Sequence, residues 1–236
     1  DYAAACADFS WDDMRRRLNG LPGGGCNIAY AAVDRHAAGP LRERTAFRFL
    51  GLADANGACA TRDITYAELA RLARRFTNVL RRLGIVKGDR LFVLAGRIPE
   101  LYIAVLGSVR NGTVVAPLFS AFGPEPIATR IQLGEGQVLV TTDLLYLRKV
   151  EKIRSQLPML RHVLLVGENG APTDISGTLD LSRLMAEVDD QSEIAATGAD
   201  DMALLHFTSG TTGTPKGAVH VHGAVATHYA TGLYAL

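Results

Sequence analysis

The chain carries almost no net charge. Its 236 residues include 25 Lys and Arg against 24 Asp and Glu, which leaves +1. Both signs are mixed along the chain. That gives no electrostatic case for a nucleic-acid partner and no polybasic tract for a membrane surface. Cysteine is scarce: Cys6, Cys26 and Cys59 are odd in number and lack CxxC or Cys/His spacing. They read as free thiols in a reducing compartment, not as a disulfide or zinc framework. Long apolar runs are missing, and so is a basic-then-apolar leader. These absences point to the cytoplasm. An initial Met is absent too, and Leu236 falls inside an apolar, helix-like stretch without a C-cap. The expectation is a piece of a longer protein.

What is present is enough apolar residue for a sizeable core, 48% of the chain. Asn27–Ala38 looks helical, with Asn27 as N-cap and Gly39-Pro40 as the stop. Thr45–Leu50 alternates like a strand; Gly51–Ala60 reads as a turn before a hairpin partner. Thr65-Tyr66-Ala67-Glu68 is a capping box. Leu69, Leu72, Ala73, Phe76, Val79, Leu80 and Leu83 then line one helical face, and Gly84 stands where a C′ glycine is wanted. Arg71, Arg74, Arg75, Arg81 and Arg82 are most simply its solvated face. Strand-like and helix-like segments then alternate: strands at 91–95, 113–118, 137–142, 162–166 and 202–207, helices at 99–110, 124–133, 144–156 and 179–188. This alternation predicts an α/β fold with a mainly parallel sheet flanked by helices. No internal repeat or low-complexity tract interrupts it.

The last of these strands runs into FTSGTTGTPKGAVHVH, Phe207–His222, and then toward a helix-like run. Glycines let backbone amides approach an anion, and hydroxyls add donors. In an open α/β sheet ligands sit beyond the carboxyl ends of strands. Thr208–Gly217 is therefore a candidate phosphate loop. A Walker A loop is missing: with Gly210 as its first glycine, Pro215 stands at the second glycine and Gly217 at the Ser/Thr position. The hydroxyl that would hold Mg²⁺ after the lysine is absent, which weakens an ordinary NTPase reading.

TSGTTGTPKG, Thr208–Gly217, resembles the signature loop of the adenylate-forming enzymes, which include acyl-CoA synthetases. LLHFTSGTTGTPKGAVHVHGAVATHYATG is similar to acetate–CoA ligases and their short-chain relatives. Three further stretches resemble the same family in the same order: ITYAELARLARRFTNVLRRLGIVKGDRLFVLAGRIPELYIAVLG, GTVVAPLFSAFGPEPIATRI and VLVTTDLLYLRKV. The resemblance implies that a carboxylic acid, ATP with Mg²⁺, and coenzyme A are the small-molecule partners. It implies an acyl-adenylate, with pyrophosphate and AMP as products. It places Thr208, Ser209, Gly210, Thr211, Thr212, Gly213 and Lys216 at the ATP phosphates. Arg148 and Lys149 are its coenzyme A candidates, although the stretch is less Arg-rich than the resemblance leads one to expect. It also implies that the chain is roughly the first two-fifths of such an enzyme, inactive by itself. Residues 1–44 would be an extension packed on an incomplete AMP-binding domain at 45–236.

Plainer readings stand beside these. His206, His220, His222 and His228 invite a metal, yet no carboxylate or Cys completes a ligand set, and such histidines usually pack or hydrogen-bond. Arg148 and Lys149 read most simply as a surface pair. The alternatives to a ligase are an ATP-using phosphoryl-transfer protein, which would release ADP, and a nucleotide-binding relative without catalysis.

Overall fold

The computed structural model describes residues 6–18, 21–53, 59–208 and 213–234. Helix α1, Trp11–Leu18, is followed by a π-helical stretch at Tyr30–Asp34 that runs into a helical turn, Arg35–Ala37. Strands β1, Thr45–Ala53, and β2, Cys59–Thr65, pair antiparallel as a separate ribbon. The segment read as a turn is thus shorter than expected on both sides, because cross-strand pairing reaches Ala53 and Cys59.

Helix α2, Tyr66–Arg82, begins where the capping box places it. The Thr65 hydroxyl accepts from the Glu68 amide at 3.2 Å. Only that half of the box forms, since the Glu68 carboxylate faces Arg62 instead. Gly84 closes the helix at φ +72, in the left-handed region that glycine tolerates. Leu69, Ala73, Phe76, Val79 and Leu80 are buried, as their spacing requires.

The main sheet has the order β7-β6-β5-β3-β4-β8-β9. Its strands are β3 Arg90–Leu94, β4 Val114–Pro117, β5 Val138–Thr142, β6 His162–Val166, β7 Leu179–Asp180, β8 Met202–Thr208 and β9 Lys216–Val221. All neighbours are parallel except β8 and β9. Helices α3, Pro99–Arg110, and α4, Pro124–Leu133, connect β3 to β4 and β4 to β5. Alternate strand residues feed two cores. Leu91, Val93, Val115, Val138, Val140 and Leu164 pack with Leu69, Phe76, Leu80 and Ile103. Phe92, Leu94, Val114, Leu139, Val163 and Leu165 pack with Ile127, Ile131, Val150 and Ile153. Both faces are covered, which is why these strands read as continuous apolar runs.

Helices α2 and α3 cross closely at Gly107. A Cβ there would stand 2.7 Å from the Ala73 carbonyl oxygen and 2.7 Å from the Phe76 Cβ. The segment expected as one helix over 144–156 is instead a turn at Asp143–Leu145, a π-helical stretch at Tyr146–Val150 and a 3₁₀ stretch at Glu151–Gln156. This path still turns Tyr146, Val150 and Ile153 into the second core. Helix α5, Leu181–Ala186, follows the two-residue strand β7, and helix α6, Ala224–Tyr234, follows β9. Among the described residues no helix is long and apolar enough to cross a membrane.

The winding of the sheet reverses between β3 and β5. The chain leaves β3 toward β4 on one side and leaves β5 toward β6 on the other. Beside that point, at the carboxyl edge, lies an open depression of about 570 Å³ lined by Pro99, Glu100, Thr142, Asp143, Glu168 and Arg62.

Candidate functional site

The signature segment sits between two antiparallel strands. β8 runs parallel to β4, so Thr208 emerges at the same carboxyl edge as β3, β4 and β5. β9 then returns against β8, with Phe207 opposite Gly217 and Thr208 opposite Lys216. A strand–loop–helix was expected here; the structure places a hairpin first and the helix α6 after it. Gly217 and Ala218 favour strands weakly, so the pairing is imposed by β8 more than by local propensity.

The hairpin is anchored on its inner face. The Phe207 ring stacks on Phe92, with centroids 6.2 Å apart. Gly217 lies flush beneath Leu205, since a Cβ there would come within 2.9 Å of Leu205 Cδ1. At the mouth, the Thr208 hydroxyl donates to the Lys216 carbonyl at 3.4 Å. Gly213 has φ +85. The Lys216 and Thr208 side chains are exposed. Ser209, Gly210, Thr211 and Thr212 lie outside the described residues.

The opposite end of the hairpin is tied to the N-terminal segment. His222 is fully buried directly after β9, and its Nδ1 accepts from the Ile28 amide at 3.1 Å. Burial pushes this imidazole down to about 4, against a smaller opposing pull from Asp201. The His222 amide donates to the Asp201 carbonyl and the Gly223 amide to the Ala199 carbonyl. Asn27 Oδ1 accepts from the Ala29 amide, as an N-cap does, and its Nδ2 donates to Val109 O and Thr197 Oγ1, both at 3.1 Å. Asp34 meets the buried Arg110 at 3.2 Å, and Arg110 also donates to Ser192 and to the Glu193 carbonyl. Arg81 donates to the same carbonyl, Arg82 to Glu187 and Arg74 to Asp34. The arginine face of α2 therefore clamps neighbouring segments. The sequence gives no local sign of these partners, which stand 40 to 112 residues away.

Arg148 and Lys149 sit on the π-helical stretch after β5. Arg148 is exposed. Lys149 is half-buried, and its ammonium donates to the carbonyls of Ser120 at 2.6 Å and Phe122 at 2.9 Å. It thereby pins the loop that follows β4. Strands β5 and β8 are separated by β3 and β4, which sets their backbones about 14 Å apart. Among the described residues no three His, Cys, Asp or Glu side chains cluster as a metal seat.

Residues 33–235 match the family described as AMP-binding enzyme. The chain belongs to the AMP-binding enzyme family. Within that setting it is 35% identical over its whole length to the acetyl-coenzyme A synthetase of Bacillus subtilis (strain 168), covering 40% of that protein. It is 33% identical to that of Streptomyces coelicolor, over 88% of this chain and 33% of that one. Thus the chain spans well under half the length of the curated relatives it matches. The solved acyl-CoA synthetase of Brucella canis superposes with a TM-score of 0.77 at 25% identity, over 96% of this chain and 39% of that one. An anthranilate CoA ligase in complex with anthranoyl-AMP shares the fold, with a TM-score of 0.72 at 23% identity. In this family member the matched region holds the parallel sheet and the signature segment together.

Proposed function

We propose that this AMP-binding chain forms the ATP-phosphate end of an ATP-dependent ligase that joins acetate, or another short-chain acid, to coenzyme A. The carrying observation is the complete signature TSGTTGTPKG at the carboxyl end of β8. In the first step a carboxylate oxygen bonds to the α-phosphorus of ATP, and the bond from that phosphorus to the bridging oxygen breaks. Pyrophosphate leaves with the electron pair. In the second, coenzyme A thiolate attacks the acyl carbon and AMP leaves. The barrier in the first step is charge, because an anion approaches a chain of anions.

The loop's part is to hold the β- and γ-phosphates and take up charge on the leaving pyrophosphate. Thr208, Ser209, Thr211 and Thr212 bring hydroxyls, Gly210 and Gly213 allow close backbone approach, and Lys216 adds a cation. Mg²⁺ would arrive with the nucleotide and lower its charge; no step is routed through a protein-held ion. Arg148, exposed, suits a coenzyme A phosphate better than Lys149, whose ammonium is already held by two carbonyls. Residues 45–236 act as an incomplete AMP-binding domain in the cytoplasm, with 1–44 packed on it. The bonds of Cys26, Asn27 and Asp34 to Thr197, Val109 and Arg110 support that packing. The chain by itself does not turn over.

The test is product identity in the longer protein that carries this chain. Acetate-dependent release of AMP and pyrophosphate, with acyl transfer only when coenzyme A is added, is the expected result. Release of ADP, or turnover indifferent to acid, would favour a phosphoryl-transfer protein. Nucleotide binding without turnover would favour a non-catalytic relative.

A further inference from the structure

Strand β9 carries Lys216 but has little lateral support of its own. It is the last strand in the sheet order, and among the described residues its partner is β8 alone. From Lys216 to His220 every residue is exposed, so packing holds the strand only weakly. What fixes it lies at its foot. His222 follows β9 and is fully buried. Its amide donates to the Asp201 carbonyl at 2.9 Å, and the Gly223 amide donates to the Ala199 carbonyl at 2.8 Å. Those two bonds tie β9 to the segment that enters β8.

Two further bonds reach beyond the hairpin. The His222 ring accepts the Ile28 amide at Nδ1, at 3.1 Å, and the His222 carbonyl accepts the Cys26 thiol at 3.4 Å. Backbones are pressed together at this joint. A Cβ at Gly25 would overlap the Thr197 carbonyl oxygen, and one at Gly223 would stand 3.0 Å from that of Ala199. The N-terminal side is itself held on the core. Asn27 donates to the Val109 carbonyl on α3, and Ala29 and Val33 are buried in the first core. Support thus runs from α3 through Asn27 and Ile28 to His222, and along β9 to Lys216. The six residues of β9, at about 3.3 Å each, set Lys216 about 20 Å from the joint, so a tilt of about 3° there moves its backbone by about 1 Å. A misplacement of that size at a reacting centre costs up to about a hundredfold, of which the flexible lysine side chain absorbs part.

We propose that His222 is a positioning residue for the adenylate-forming step: by taking the Ile28 amide it fixes the foot of β9, and with it Thr208 and Lys216 at the mouth of the loop. This role rests on the reading of the loop as a phosphate site. It gives the N-terminal segment a part in the reaction, as the buttress of the hairpin.

The experiment compares the two half-reactions in the longer protein that carries this chain. The first is followed as acid-dependent exchange of labelled pyrophosphate into ATP. The second is followed as thioester formation from added acyl-adenylate and coenzyme A. His222→Leu leaves the Ile28 amide without an acceptor, and His222→Asn gives it one again. Ile28→Pro removes the same bond from the other side, at a first helical position where proline is accepted. His222→Leu and Ile28→Pro should each slow exchange about five- to tenfold and leave the thioester step within about twofold, while His222→Asn stays near wild type in both. Together the two changes should slow exchange no more than the worse one alone, because both remove one bond. The β9 amides should exchange with solvent faster in His222→Leu than in His222→Asn. Equal slowing of both half-reactions in step with a lower Tm would overturn the positioning role, leaving His222 a core residue. So would unchanged exchange in His222→Leu, or β9 amides equally protected in the two His222 variants. Absence of acid-dependent exchange in the wild type would instead overturn the reading of the loop, and the step that His222 serves with it.

Discussion

Asp34→Ala lowers the unfolding free energy by about 3–5 kcal/mol, because it leaves a buried guanidinium without its counter-charge. Arg110 is only 5% exposed at its side chain, and Asp34 only 11%. Burial alone pushes the Arg110 guanidinium below its ordinary range, and Asp34 is the first group that offsets this. Arg110 remains charged in any folded state, so it cannot escape by losing a proton. Arg74 also meets Asp34, at 3.3 Å, but is one-third exposed. Arg74→Ala should therefore cost less than about 1 kcal/mol. Denaturant unfolding of the three proteins checks this. Equal losses for the two variants would show that the Asp34–Arg110 contact carries no special weight.

The second large effect is on pH. His222 has a folded-state value of about 4, below the ordinary 6.5, with burial as its main cause. The unfolded chain therefore binds a proton that the folded chain refuses between those two values. Folded stability should fall as pH drops below 6.5, by about 3 kcal/mol in total, and this contribution should level off near pH 4. The neutral ring accepts at Nδ1 from Ile28, so its proton belongs on Nε2, which has no partner among the described residues. His222→Asn keeps an acceptor for the Ile28 amide and removes the titration. Its stability should run flatter than wild type across the same window. Parallel profiles would contradict the assignment. His36, His162 and His206 are also held low and add to the slope in the same direction, which is why the difference between the two proteins is the useful quantity.

The residues that set the fold were legible where the signal is local. Thr65 and Gly84 bracket α2 because a cap and a left-handed glycine are needed within one turn of each end. The sheet was legible because burial on both faces forces apolar runs. The N-terminal ties were not. Asn27 reads as a cap, and it is one, but its bond to Thr197 spans 170 residues and leaves no periodic trace. The same holds for His222 and Ile28, 194 apart. The π-helical and 3₁₀ stretches after β5 were missed because their inward residues keep helical spacing. The hairpin was missed because Lys216–Val221 contains a glycine and an alanine that argue against a strand until β8 supplies a partner. Glycine, hydroxyl and lysine lie within ten consecutive residues, 208–217, which is why that stretch stands out locally as a candidate phosphate loop.

On the function proposed above, this loop holds the outer phosphates of ATP. The most direct measurement is a phosphorus NMR titration of ATP with the wild-type chain and with Thr211→Ala/Thr212→Ala. The β- and γ-phosphorus signals should move further than the α signal, pyrophosphate should compete, and the double variant should abolish the movement. Equal movement of all three signals, or movement unchanged in the variant, would contradict it.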